Sequence, residues 1–235
     1  MMSKLFTTFM LSIGLSASTL FAMNIAEKDI VNPPLTIEQL DRNPMNELKK
    51  WVKEASEQPP TFALATASKE GIPSIRMMIV KEITDEGVVF VGDRNSLKAQ
   101  NLKENPYAAV DFYFPKEQRQ LIVAGKVRPL TQKEAQNYFK QRERSSQIAS
   151  LVSHQDETIH DKKELLDAYK EMEEQYEDKD ISAPESWGGF VLIPSKITFW
   201  QAGAHLLHDN ITFTTDETVS YQDKNKKWTA KILAP

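Results

Sequence analysis

Cationic and amide side chains set into otherwise apolar stretches are the residues of this chain whose types could do chemistry. Arg76 and Lys81 bracket the apolar run Met77, Met78, Ile79 and Val80. In one extended strand their separation of five would put them on opposite faces, and both faces of a single strand cannot be core. A buried Arg or Lys without an anion is costly. Either both lie at a rim in water, or at least one meets a bound phosphate. Further along, Tyr138, Arg142 and Ser146 follow at intervals of four, with Gln147 beside the last. On one continuous helix the first three would share a side and offer a phenol, a guanidinium and a hydroxyl to a common anion. The plainer alternative is the polar face of an amphipathic helix.

Other chemistries are poorly provided for. The 235 residues include no cysteine, which removes disulfides, thiolate metal sites and cysteine nucleophiles. Four scattered histidines argue against a structural metal site. No nucleophilic triad motif or phosphate-cradling glycine loop is present, and glycine is scarce, at 8 residues. Lys and Arg number 29 against 33 Asp and Glu, a net charge of −4 spread along the chain. No long-range field would recruit nucleic acid.

The elements that must position the cations can be laid out from punctuation and period. Pro44 suits the first turn of a helix whose apolar stripe is Leu48, Trp51 and Val52, ending before Pro59-Pro60. Segments rich in β-branched and aromatic residues follow at 61–67, 75–83, 87–92, 107–114 and 119–127, separated by Gly and Pro signals. A short helix over 96–104, with Ser96 as a cap, interrupts them. Thr131, with Glu134 three residues on, opens a helical stretch to about Ser153, and 161–176 reads as a solvated, charged helix. Strands return at 188–193, 197–201, 211–214 and 228–232. The rhythm predicts a mostly β domain with flanking helices, an antiparallel barrel or sandwich, over residues 44–235 as one unit.

The beginning of the chain differs. After Lys4, residues 5–22 contain only apolar, Ser, Thr and Gly residues, with small Ala17, Ser18 and Ala22 near the end. That order is read as an export signal over residues 1–22, placing the mature protein in the periplasm or outside the cell. An uncleaved membrane anchor is the alternative, and a cytoplasmic location follows if the signal does not function. Residues 23–43, with Pro33-Pro34, read as an extended polar arm.

In order and at their intervals, the islands Arg76 to Lys81, Asn95 to Ala99, Arg119-Gln120, Tyr138-Phe139, Arg142 with Ser145 to Ile148, Ser186 to Phe190, Phe199 to Gln201, His205 to Asp209 and the closing Leu233-Ala234-Pro235 resemble the pyridoxine/pyridoxamine 5′-phosphate oxidases. The resemblance runs from about Trp51 to Pro235. It implies an FMN-binding split β-barrel of antiparallel Greek-key type, acting as a homodimer with FMN at the interface, and no metal. It further implies oxidation of pyridoxamine or pyridoxine 5′-phosphate to pyridoxal 5′-phosphate, with oxygen as final acceptor. By position, FMN contacts fall on Arg76, Met77, Met78, Ile79, Val80, Lys81, Val91, Gly92, Lys98, Gln120, Gln155 and Trp200. Substrate contacts fall on Lys81, Tyr138, Arg142, Ser146 and His208, with His208 at the reacting end.

Three departures accompany the resemblance. Leu97, Leu206 and Asn210 stand where the family carries arginine, near the flavin phosphate, the reacting end of the substrate and the flavin respectively. Loss of charged groups there would weaken positioning and electrostatic help. Two further readings therefore stay open: a non-catalytic pyridoxal-phosphate or flavin binder, and a related flavin oxidoreductase with another substrate such as a phenazine precursor.

Overall fold

The computed structural model describes residues 32–55, 60–216, 218, 220 and 226–235. The export signal read over 1–22 and the first part of the arm lie outside these residues. The helix α1 (Pro44–Glu54) begins where Asn43 accepts a hydrogen bond from the Met45 N–H and Pro44 takes the first position. The strands β1 (Thr61–Ala67), β2 (Pro73–Ile79), β3 (Glu82–Ile83) and β4 (Val88–Asp93) follow, then α2 (Leu97–Glu104). Next come β5 (Tyr107–Phe114) and β6 (Arg119–Pro129), the helices α3 (Gln132–Lys140), α4 (Arg144–Val152) and α5 (Lys162–Gln175), and finally β7 (Trp187–Gln201), β8 (Asp209–Thr214) and β9 (Thr229–Ile232).

All nine strands join one sheet of order β2-β1-β5-β6-β7-β4-β3, with β8 on β7 and β9 on β8, every pairing antiparallel. β2 and β3 are opposite edges of that order, yet only Val80 and Lys81 separate them. Three consecutive Cα–Cα steps reach about 11 Å at most, so the sheet must curl until its edges meet. The Val80 N–H donates to the Pro60 carbonyl at 3.1 Å and the Lys81 N–H to the Val89 carbonyl at 3.0 Å. The expectation of one strand through 75–83 is corrected here: the backbone changes partner at Val80, and Arg76 and Lys81 belong to different edges.

β7 splits the barrel. β6 runs along one side of it for most of its length, while the other side is shared by β4 up to Leu192 and by β8 from Lys196. The division falls at Pro194, which has no N–H to donate, and the register with β6 slips between Ala124 and Gly125. A Cβ on Gly125 would lie 2.1 Å from the Ile193 carbonyl oxygen, so the close approach needs glycine there.

Alternation along the strands sends Phe62, Leu64, Phe90, Val110, Phe112, Leu121, Val123, Ile197 and Phe199 into the barrel, all fully buried. Leu48 and Trp51 of α1 join this core, with Trp51 edge-on to Phe199 at 5.1 Å. On the outer side of β4 and β7, Val89, Val191 and Trp187 pack with Leu130, Ala135, Phe139, Ile148 and Ile181. The helical stretch expected from Thr131 to Ser153 proves to be two helices. The Arg142 N–H bonds back to the Phe139 carbonyl, a tight closing turn, and α4 restarts after Glu143.

The opposite alternation makes a broad outward surface. Across β2-β1-β5-β6-β7-β8, one row reads Met77, Ala63, Asp111, Ile122, Thr198 and Thr212. Its β2 edge is an apolar ridge, with Ile75 71%, Met77 66% and Ile79 58% exposed. Asp111 is the acid in this row, and its Oδ1 is buried without a hydrogen-bond partner. Burial raises its pKa, partly offset by a hydrogen bond with Gln120. A carboxyl raised in the folded state costs stability once ionised, so its contribution is lost as pH climbs through the folded value. Asp111→Asn should therefore melt at a higher temperature than the wild type at about pH 7, and thermal scans should show the difference closing toward about pH 4.

Candidate functional site

Period-two alternation in β2 turns Ser74 and Arg76 inward at the end of the barrel that α2 covers. Arg76 donates to Thr66 Oγ1 and Ser74 Oγ, both at 2.8 Å, and to the Leu64 carbonyl. Asn101 of α2 donates to the same two hydroxyls at 3.0 Å. In the first turn of α2, Lys98 is 5% exposed. Its Nζ donates to Ser96 Oγ at 2.8 Å and to Gln155 Oε1. Ser96 occupies the expected cap position but does not cap: its hydroxyl donates to the Asp93 carbonyl.

Arg76 is close enough to Lys98 for its charge to disfavour the ammonium. Burial is the main cause lowering both pKa values; Asp156 raises both, Arg76 lowers Lys98 and Asp93 raises it. Among the described residues neither makes an ion pair. Gly92 lets Lys98 and Gln155 come close to the β4 backbone: a Cβ there would stand 3.0 Å from Lys98 Cε and 3.1 Å from Gln155 Oε1. A half-buried Arg76, a buried Lys98 and a helix N-terminus form a cradle suited to an anionic group.

Nearby, the ring of Tyr138 lies 5.7 Å from Lys81 Nζ, and its hydroxyl donates to Glu82 at 2.6 Å. Burial foremost, then Glu82, raises the Tyr138 pKa. α3 is held against the β3–β4 turn by Arg128, which bridges Glu86 and Glu134 and lowers Glu134 to about 2. Because the helix breaks after Lys140, Tyr138, Arg142 and Ser146 do not share one helical side, correcting the sequence expectation. Arg142 lies in the break, its guanidinium 4.4 Å over Trp187. It donates to the Ser146 carbonyl at 3.3 Å, while its Nε is buried without a partner. A cleft of about 170 Å³ runs from Gly92 and Gln155 to Arg142, Ser150 and Trp187.

The remaining predicted residues lie elsewhere. Gln120, Trp200 and Asn210 are neighbours across β6, β7 and β8, next to Tyr113 of β5. His208 packs on Trp200 with ring centres 4.7 Å apart, and its Nδ1 accepts from the Gly203 N–H at 3.2 Å. These side chains stand on the outward face. Arg76 points inward three strands away, roughly 14 Å along the sheet. Within one chain the two groups therefore open to opposite faces of the sheet. The cleft is also smaller than the ~300 Å³ at which small-ligand sites begin. A larger depression, about 620 Å³, lies on the outward face among Ala65, Ala67, Ala109, Ala124 and Lys196.

In β2, Met77 and Ile79 face outward whereas Met78 packs on the core, as does Val80 just after the strand, and Val91 joins the outer cluster. Sequence reading missed Thr66, Ser74 and Asn101 around Arg76, and Asp156, whose Oδ2 accepts from the Leu97 N–H at 2.8 Å. Ser74 could have been found from its two-residue offset to Arg76. Asp156 sits in an aperiodic loop and carries no such signal.

Two family models match consecutive parts of the chain: "Pyridoxamine 5′-phosphate oxidase" over residues 48–176, and "Pyridoxine 5′-phosphate oxidase C-terminal dimerisation region" over residues 187–235. The chain belongs to the pyridoxamine 5′-phosphate oxidase family. A relative from Coxiella burnetii named pyridoxine/pyridoxamine 5′-phosphate oxidase is 39% identical over 197 residues, 82% of this chain and 96% of that one. The crystal structure of PhzG from Burkholderia lata, in complex with tetrahydrophenazine-1-carboxylic acid, superposes with a TM-score of 0.76 at 25% identity, covering 89% of this chain and 100% of that one. A pyridoxamine 5′-phosphate oxidase-related, FMN-binding protein from Nostoc punctiforme shares the fold, with a TM-score of 0.64 at 13% identity over 81% of this chain and 96% of that one.

Within this oxidase-family chain, Lys98 is a charge buried at the expense of stability. Its partners keep other bonds, Ser96 to the Asp93 carbonyl and Gln155 from the Asp93 N–H, so removing the ammonium orphans neither. Lys98→Met should raise the melting temperature of the ligand-free protein by about 2–4 °C, roughly 1 kcal/mol, measurable by calorimetry.

Proposed function

We propose that the chain is an FMN-dependent oxidase of pyridoxamine or pyridoxine 5′-phosphate, forming pyridoxal 5′-phosphate and working as a homodimer. The observation that carries this is the half-buried Arg76 together with the buried Lys98 beside Gly92, neither in an ion pair among the described residues. They would hold the flavin phosphate, with Gln155 and the backbone of Val91 and Gly92 along one side. Gln120 and Trp200 would come from the second chain, which would explain why they lie apart from the cradle in their own. The exposed ridge of Ile75, Met77 and Ile79 gives that second chain an apolar surface to cover, and the dimerisation-region match supports the assembly. When bound, FMN supplies the acceptor for a hydride from the substrate and hands the electrons on to oxygen.

The residues of the chain would do the positioning. Lys81, Tyr138, Arg142 and Ser146 would take the substrate phosphate, and the unpaired Nε of Arg142 leaves a donor for it. His208, its ring tilted against Trp200, would stand at the reacting end. Export by residues 1–22 would put this chemistry outside the cytoplasm, with FMN acquired after translocation. A second reading, a flavin oxidoreductase on a larger apolar ring, is favoured by Leu206, which is 69% exposed where the resemblance expects arginine, and by the likeness to PhzG.

Purified protein is expected to show a flavin spectrum and to form aldehyde and peroxide from pyridoxamine 5′-phosphate. Flavin-loaded protein that turns over neither B6 phosphate would sink the oxidase reading and favour the second. Arg142→Ala should raise KM for the phosphorylated substrate about ten- to hundredfold, the usual worth of a charged hydrogen bond. N-terminal sequencing of protein from fractionated cells tests export: an intact Met1 in the cytoplasm would refute it.

A further inference from the structure

We propose that Asp156 is a built-in competitor for the phosphate end of the flavin site, a carboxylate that an incoming phosphate must displace from the N-terminus of α2. The inference rests on the reading of Arg76 and Lys98 as the flavin-phosphate cradle. The first backbone N–H of α2, at Leu97, donates to Asp156 Oδ2 at 2.8 Å. The same carboxylate favours the charged forms of both Arg76 and Lys98. It thus already answers the three positive features that a phosphate would use: the helix N-terminus and the two cations. α2 supplies no acid of its own in its first turn, and Ser96 leaves the end uncapped.

Asp156 reaches this place from the α4–α5 connection and at a backbone cost. Its φ is 69°, the left-handed region that a non-glycine residue occupies unfavourably. The preceding residue, Gln155, bonds Lys98 and the Asp93 N–H, and His154 stands 4.0 Å from Asp93. Residues 154–156 therefore lie over the cradle as one strap, with the carboxylate at its tip. A phosphate and an ionised carboxylate sharing these donors would repel each other. Either the strap opens when flavin enters or flavin binds against a standing negative charge.

A plain structural alternative is that Asp156 simply caps α2. Charge and cap can be separated, because Asn keeps an acceptor oxygen and tolerates positive φ. Flavin-fluorescence quenching should be titrated with FMN and, separately, with riboflavin, which lacks the phosphate. Asp156→Asn is expected to tighten FMN at least about tenfold, the scale of removing a like-charge contact, and to leave riboflavin unchanged. An FMN affinity unchanged by the substitution, or equal tightening of both ligands, would overturn the proposal while leaving the flavin site standing. If Asp156→Asn lowers stability, Asp156→Gly, whose backbone accepts the same φ, supplies the decisive comparison. Wild type and variants that all bind neither ligand would overturn the flavin reading and this inference together.

Discussion

Two residues hold the architecture in its working form. Val80 and Lys81 carry the backbone from one edge of the sheet order to the other, and each fastens to a different strand, one to Pro60 and one to Val89. So short a crossing leaves the sheet no flat alternative. Because β2 ends just before it and β3 begins just after, the crossing also fixes where the cations go. Arg76 is turned into the end covered by α2, and Lys81 emerges beside Tyr138. Barrel closure and the placement of charge are one constraint.

That constraint gathers positive charge that the fold answers only at longer range, chiefly through Asp156. Arg76, Lys98 and Arg142 are each held among hydroxyls, amides, carbonyls and aromatic rings, with no carboxylate in ion-pair range among the described residues. Hydroxyl and amide acceptors reduce the desolvation cost without cancelling the charge. Elsewhere the chain pairs its charges readily, as where Arg128 bridges Glu86 and Glu134. On the proposed reading, the contrast separates structural cations from those that would meet a ligand.

Most of the fold was legible because hydrophobic period and turn residues act locally. β1 and β5 follow their expected bounds, and α1 and α5 start where Pro44 and Asp161 announce them. The misreadings occur where tertiary pairing decides. The stretch from Ile75 to Ile83 has no local mark showing that its backbone changes partner at Val80. The helical period through 131–153 likewise hides the break around Gln141, which the packing of Phe139 and Ile148 on Trp187 stabilises. Of the site, the cation types and their order were readable. The division between an inward cradle and an outward row of Gln120, Trp200 and Asn210 was not, since it depends on which face each strand presents after curling.

The outward ridge on β2 has a consequence for how this protein behaves as a population of molecules. Ile75, Met77 and Ile79 project from the strand whose inward side carries Arg76, so association and ligand capture meet across one thickness of backbone. On the two-chain reading, ligand occupancy and self-association are linked equilibria: ligand pulls chains together, and crowding the chains raises apparent affinity. A dissociation constant for such a molecule has no single value until the protein concentration is stated beside it.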